Sequence, residues 1–150
     1  MIYRYNKELI SQWIKESEKD DLPLYYRFSC LWTAFNHFLA SKYQKDGDLK
    51  LLKEFYKDYS DKFIILHNSN EKLRCSIENL KKESPIRDMR PGQREQVIIN
   101  DINLTQIFKA IYQIRCNLLH GSKLFDADRD NILVKIAYDI LSVEIENILE

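Results

Sequence analysis

The sequence predicts an all-α bundle of five to six helices with one irregular insert, forming a single domain over residues 1–150. Three observations predict it. Apolar residues recur at helical spacing along almost the whole chain. Only three Gly and three Pro occur, which suits long helices better than a turn-rich β fold. No repeat, low-complexity tract or linker divides the chain, and a domain of this size buries roughly two-thirds of its unfolded surface without disulfide or metal support.

A first helix is expected over about Tyr3–Lys19, with Leu9, Ile10, Trp13 and Ile14 as its apolar residues; Asp20, Asp21 and Pro23 punctuate it. The second, Leu24–Lys45, has the widest stripe: Phe28, Leu31, Trp32, Phe35, Phe38 and Leu39, with Gly47 expected to end it. The third, Leu49–His67, sets Leu52, Phe55, Tyr56, Tyr59, Phe63 and Leu66 on one face. The text HNSN reads as a cap and turn, after which Glu71–Lys82 buries Leu73, Ile77 and Leu80. Residues Glu83–Asp101 break the period; they hold two prolines and a glycine, and Val97–Ile99 reads as a short extended piece. The fifth helix starts near Asn103, where Asn103 and Gln106 resemble a capping box, and runs to His120, with Gly121 as its stop. The last, Asp126–Leu149, is led by acids and turns Ile132, Leu133, Ile136, Ala137, Ile140 and Ile148 to the core.

The charges balance at 23 basic and 23 acidic residues, so an RNA partner requires a local basic patch. The segment Lys81–Arg94 supplies such a patch, with Arg87, Arg90 and Arg94 as phosphate contacts, although charge runs of this kind are usually solvated loops. Cys30, Cys75 and Cys116 are odd in number and scattered, which predicts neither a disulfide framework nor a zinc site. Cys116 reads as packing, because no second histidine and supporting base adjoin it. His37 and His67 read as ordinary helix residues; neither a metal nor another cofactor is expected. With no apolar signal core and no membrane-length run, the expected location is the cytoplasm.

The segment IYQIRCNLLHGSK carries the most chemistry. At about 100° per residue, Ile107, Ile111, Ile114 and Leu118 define the core direction. Arg115 projects beside that stripe, so it belongs at a cleft, a subunit interface or a buried ion pair. His120 projects roughly 140° away from it. A joint site therefore requires the helix to loosen near Gly121, or a second protomer. Asn117 shares a face with His120.

Arg115-Cys-Asn-Leu-Leu-His120 resembles the R-x-x-x-x-H motif of HEPN ribonucleases. The aromatic text YRFSCLWTAFNHF, the insert PIRDMRPG, and the motif run followed by D-x-x-x-I-L-V are similar to stand-alone bacterial members, some linked to abortive infection. The likeness covers nearly the whole chain. It implies a helical homodimer whose two motifs face each other in one metal-independent site, cutting RNA through its 2′-hydroxyl to leave a cyclic phosphate. It gives His120 the acid/base role and Arg115 the phosphate role, with Asn117 orienting either and Lys123 adding charge. A toxin or phage-defence role, with an antitoxin or nucleotidyltransferase partner, is implied by resemblance alone. The chain departs from the family in having Cys116, not a polar residue, directly after the arginine. It also has Ser122 where some toxin members carry an AMPylated tyrosine. A non-catalytic module binding a nucleotide, RNA or protein, and a plain helical scaffold with Arg115 in a structural ion pair, stand as the alternatives.

Overall fold

The apolar stripes of the sequence fold into helices that share one core. The computed structural model describes residues 2–119 and 128–150, apart from the side chains of 2–6 and 128. Its helices are α1 (Ile2–Ser17), α2 (Leu24–Tyr43), α3 (Asp48–Ser69), α4 (Glu71–Glu83), α5 (Leu104–Leu119) and α6 (Asp128–Leu149); between α4 and α5 lie two short strands, β1 (Ile86–Arg87) and β2 (Gln96–Val97). The expected all-α bundle with an irregular insert is what forms. Among the described residues no helix is long and apolar enough to cross a membrane.

Helix α1 lies along α2, while α2 and α4 each pack on α6, and α3 packs on α2 and α5. Every residue of the expected α2 stripe is buried. Its centre is a phenylalanine triad from three helices: Phe35 meets Phe55 edge-on at 5.0 Å, Phe55 lies 5.0 Å from Phe108, and Phe35 lies 5.5 Å from Phe108. Each such pair adds about 0.5–1.5 kcal/mol beyond its buried area. The triad therefore fixes α2, α3 and α5 against one another, and these are the helices that frame Arg115.

The helix ends depart from expectation in instructive ways. Gln44, not Gly47, terminates α2: it adopts the left-handed conformation (φ 53°), and its N–H donates to the Ala40 carbonyl at 3.0 Å. Gly47 (φ 95°) instead precedes α3, and its carbonyl accepts the Leu51 N–H. The α3 start thus moves back to Asp48, an acid in the first turn, where the helix dipole favours it. The HNSN turn shrinks to one residue. Helix α3 runs through Ser69, and Asn70 alone separates it from α4, its side chain capping the Leu73 N–H at 2.8 Å.

Only half of the Asn103 capping box forms. The Asn103 side chain accepts from the Gln106 N–H at 3.1 Å, but the Gln106 side chain accepts from Asn100. The extended piece begins one residue early, at Gln96, and acquires a partner: Ile86 pairs with Val97 and Arg87 with Gln96, antiparallel. Ile86 and Ile99 anchor this hairpin in the core.

Ile132 is a correction. Expected in the core, it is 47% exposed, beside Asn79, Lys82 and Glu83 along the α4–α6 groove. The facing α4 side chains are polar there and do not cover it. A buried acid replaces it as the notable residue of α6. Glu144 is 0% exposed, and among the described residues neither carboxylate oxygen has a hydrogen-bond partner. Burial pushes its carboxyl up to about 8.

Candidate functional site

Arg115 sits where α5 passes the start of α3. Its guanidinium Nη1 donates to Asp48 Oδ2 at 3.0 Å, and the other carboxylate oxygen accepts from Asn36 Nδ2 of α2 at 2.7 Å. Beneath lies Trp32, with the guanidinium carbon 5.6 Å from its ring centroid. The pair is only partly enclosed, the Arg115 side chain being 25% exposed and that of Asp48 24%. Of the three settings open to Arg115, an ion pair is realised, but at the surface. An arginine carries five N–H donors, and the described bond to Asp48 engages one of them.

The floor of this region is aromatic. Trp32 lies 6.0 Å from Tyr112. Burial, reinforced by Cys116 one turn along, pushes the Tyr112 hydroxyl up to about 12. Burial also raises the Tyr56 hydroxyl. Trp32 Nε1 and the Tyr56 hydroxyl are both buried without a hydrogen-bond partner among the described residues. Cys116 is half-buried and, among the described residues, forms no disulfide.

Asn117 does a different task. It is 1% exposed. Its Oδ1 accepts from the Met89 N–H and from Gln113 Nε2, both at 2.9 Å, and its Nδ2 donates to the Arg87 carbonyl at 2.8 Å. None of these bonds reaches Arg115. Among the described residues, Asn117 clamps the hairpin to α5; it does not orient the arginine.

The hairpin carries the basic insert. Arg87, Arg90 and Arg94 are exposed and, with Gln93 and Gln96, line a groove of about 450 Å³. Arg90 is held by Asp88, Nε donating to Oδ1 at 2.9 Å and Nη2 donating to Oδ2, and this pairing raises its already high pKa. The Asp88 side chain is 1% exposed. Among the described residues no three His, Cys, Asp or Glu side chains form a metal-binding group. His120 and Lys123 lie outside the described residues, as do Gly121, Ser122 and Asp126.

Asp48, Asn36 and Asp88 were not singled out by the sequence reading. Asp48 was within reach, since a Gly-Asp pair before an apolar run is a helix start; placing the boundary at Leu49 hid it. The other two had no comparable local signal, because Asn36 works across a chain reversal and Asp88 becomes a buried anchor only once the hairpin docks. No family model, curated protein or solved structure matches the chain.

Proposed function

We propose that the chain is a HEPN-type endoribonuclease, acting as a homodimer in which Arg115 and His120 of two copies converge on one phosphodiester. The observation that supports it is Arg115 itself: oriented by Asp48 and Trp32, partly exposed, and with donors to spare. A guanidinium in that state is prepared to take a phosphate oxygen and to stabilise charge that grows on it. In this reading His120 accepts the proton of the RNA 2′-hydroxyl as its oxygen attacks phosphorus. It returns a proton to the departing 5′-oxygen, which leaves a 2′,3′-cyclic phosphate. Lys123 adds positive charge nearby. Leu119, one turn beyond Arg115, and Leu49, beside Asp48, are exposed apolar residues and give a second copy a foothold at this end. Cytoplasmic action in stress or phage defence, with an antitoxin or nucleotidyltransferase partner, completes the proposal.

The test is cleavage of a ribo-oligonucleotide in EDTA with analysis of the new ends. The expected products carry 2′,3′-cyclic phosphate and 5′-hydroxyl ends, and the 2′-deoxy analogue stays intact. Products with 5′-phosphate ends contradict the proposal. The second reading, a non-catalytic RNA- or nucleotide-binding module, is favoured by the Asp48 carboxylate that engages the key arginine, and it predicts binding without products.

A further inference from the structure

We infer that the β1–β2 hairpin is a rigid arm that grips the phosphate backbone of single-stranded RNA beside α5, through Arg87, Arg90 and Arg94. The inference rests on the ribonuclease reading of Arg115 for its choice of ligand; the geometry of the arm is independent of it.

The arm is rigid before any ligand arrives. A short exposed loop ordinarily tolerates motion, and immobilising arginine side chains costs conformational entropy. Here that cost is met in advance. Ile86 and Ile99 bury the two sides of the hairpin in the core. Asn117 fastens its backbone at Arg87 and Met89, and the Asp88 N–H donates to the Glu95 carbonyl across the loop at 2.9 Å. Arg90 is then fixed by Asp88, a carboxylate that is itself buried.

The arginines of the arm keep free donors. Asp88 engages the Nε–H and one Nη2–H of Arg90. Of the five donors of a guanidinium, three remain, on the edge away from Asp88. An arginine clamped on one edge is pre-organised to offer the other to a phosphate. Arg87 and Arg94 make no side-chain hydrogen bond or ion pair among the described residues and keep all their donors. Gln93 and Gln96 add neutral donors and acceptors suited to ribose and base edges.

The arm also lies close to the motif along the chain. The Asn117 clamp grips the hairpin, at the Arg87 carbonyl and the Met89 N–H, from a position on α5 two residues beyond Arg115. The arm is thus built onto the helix that carries the motif. A duplex would need a broad basic surface, and the chain has no net charge to provide one. One groove of about 450 Å³ suits one strand.

The experiment uses the full chain and a short labelled 2′-O-methyl oligouridylate, which binds as RNA does but lacks the attacking hydroxyl, titrated at several salt concentrations. Arg94→Gln is the primary variant, because Arg94 anchors nothing in the fold; Arg90→Gln and the double variant follow. Each substitution is expected to weaken binding several-fold and to lower the salt slope by about 0.7. Unchanged affinity and slope in Arg94→Gln and in the double variant overturn the arm. If the variants lose binding while the native chain cuts no RNA, the arm stands and the nuclease reading falls. If the native chain cuts RNA and the variants bind and cut as it does, the arm falls and the nuclease reading stands.

Discussion

Arg115 and Asn117 stand two residues apart on α5 and point to different fates. Asn117 is buried, and all three of its described hydrogen bonds close within the chain. Arg115 is partly exposed, holds one carboxylate and has donors left over. The difference separates two uses of polar side chains near a motif. A buried amide whose bonds are complete is cement: its loss leaves orphaned groups behind. A partly exposed guanidinium with unspent donors is equipment, whose loss should barely disturb the fold. Between them sits the half-buried Cys116.

The sharpest break of this contrast comes from the buried side. Asn117→Ala strips partners from the Met89 N–H, the Arg87 carbonyl and Gln113. The three bonds are part-buried, so water partly replaces them at about 1 kcal/mol each, and the fold is expected to lose roughly 2–4 kcal/mol by urea denaturation. Hydrogen exchange at the Met89 amide should rise before that of the α5 core. Unchanged stability would show that the hairpin is not held by this residue.

Glu144 sharpens the contrast from another direction, as a buried polar group with no described partner. Its carboxyl titrates at about 8 in the fold, against about 4.3 in an unfolded chain. The native state therefore binds the extra proton between those values. The associated stability is complete below about pH 4 and is lost as pH rises through about 8. Glu144→Gln should remove this decline, giving a flatter stability profile across neutral pH and a more stable chain in alkali. Parallel profiles for the two proteins would mean that Glu144 finds a charged partner in solution.

The smallest effect is expected at Asp48. The neutral side chain of Asp48→Asn no longer competes with phosphate for Arg115. Partly exposed ion pairs are worth about 0.2–1 kcal/mol, so RNA binding should tighten by up to about fivefold with little change in melting temperature. Weaker binding in a titration would show that the orientation Asp48 gives Arg115 outweighs the donor it occupies.

The helices were legible because burial here follows a simple rule. A stripe such as Phe28 to Leu39 has nowhere to go but inward, whatever else the chain does. The ends were less legible, since Gln44 takes up a strained left-handed turn that the sequence assigned to a glycine. The insert was recognised as a break, but its pairing of Arg87 with Gln96 depends on the core accepting Ile86 and Ile99. At the candidate site the arginine was legible from its position beside an apolar stripe. Its partner Asp48 was legible only as a helix start, because pairing between chain-distant helices leaves no local periodicity. The helix spacing sets Asn117 on the face of His120, which lies outside the described residues; the bonds that Asn117 makes to the docked hairpin leave no signal in that spacing.

The decisive measurement is RNA cleavage in EDTA by the native chain, Arg115→Ala and His120→Ala, each at matched protein concentration and with its melting curve recorded. The account predicts that both substitutions lower the rate by roughly a hundred- to a thousandfold, while Arg115→Ala shifts stability by no more than about 1 kcal/mol. Native-level cleavage by a folded Arg115→Ala would contradict it.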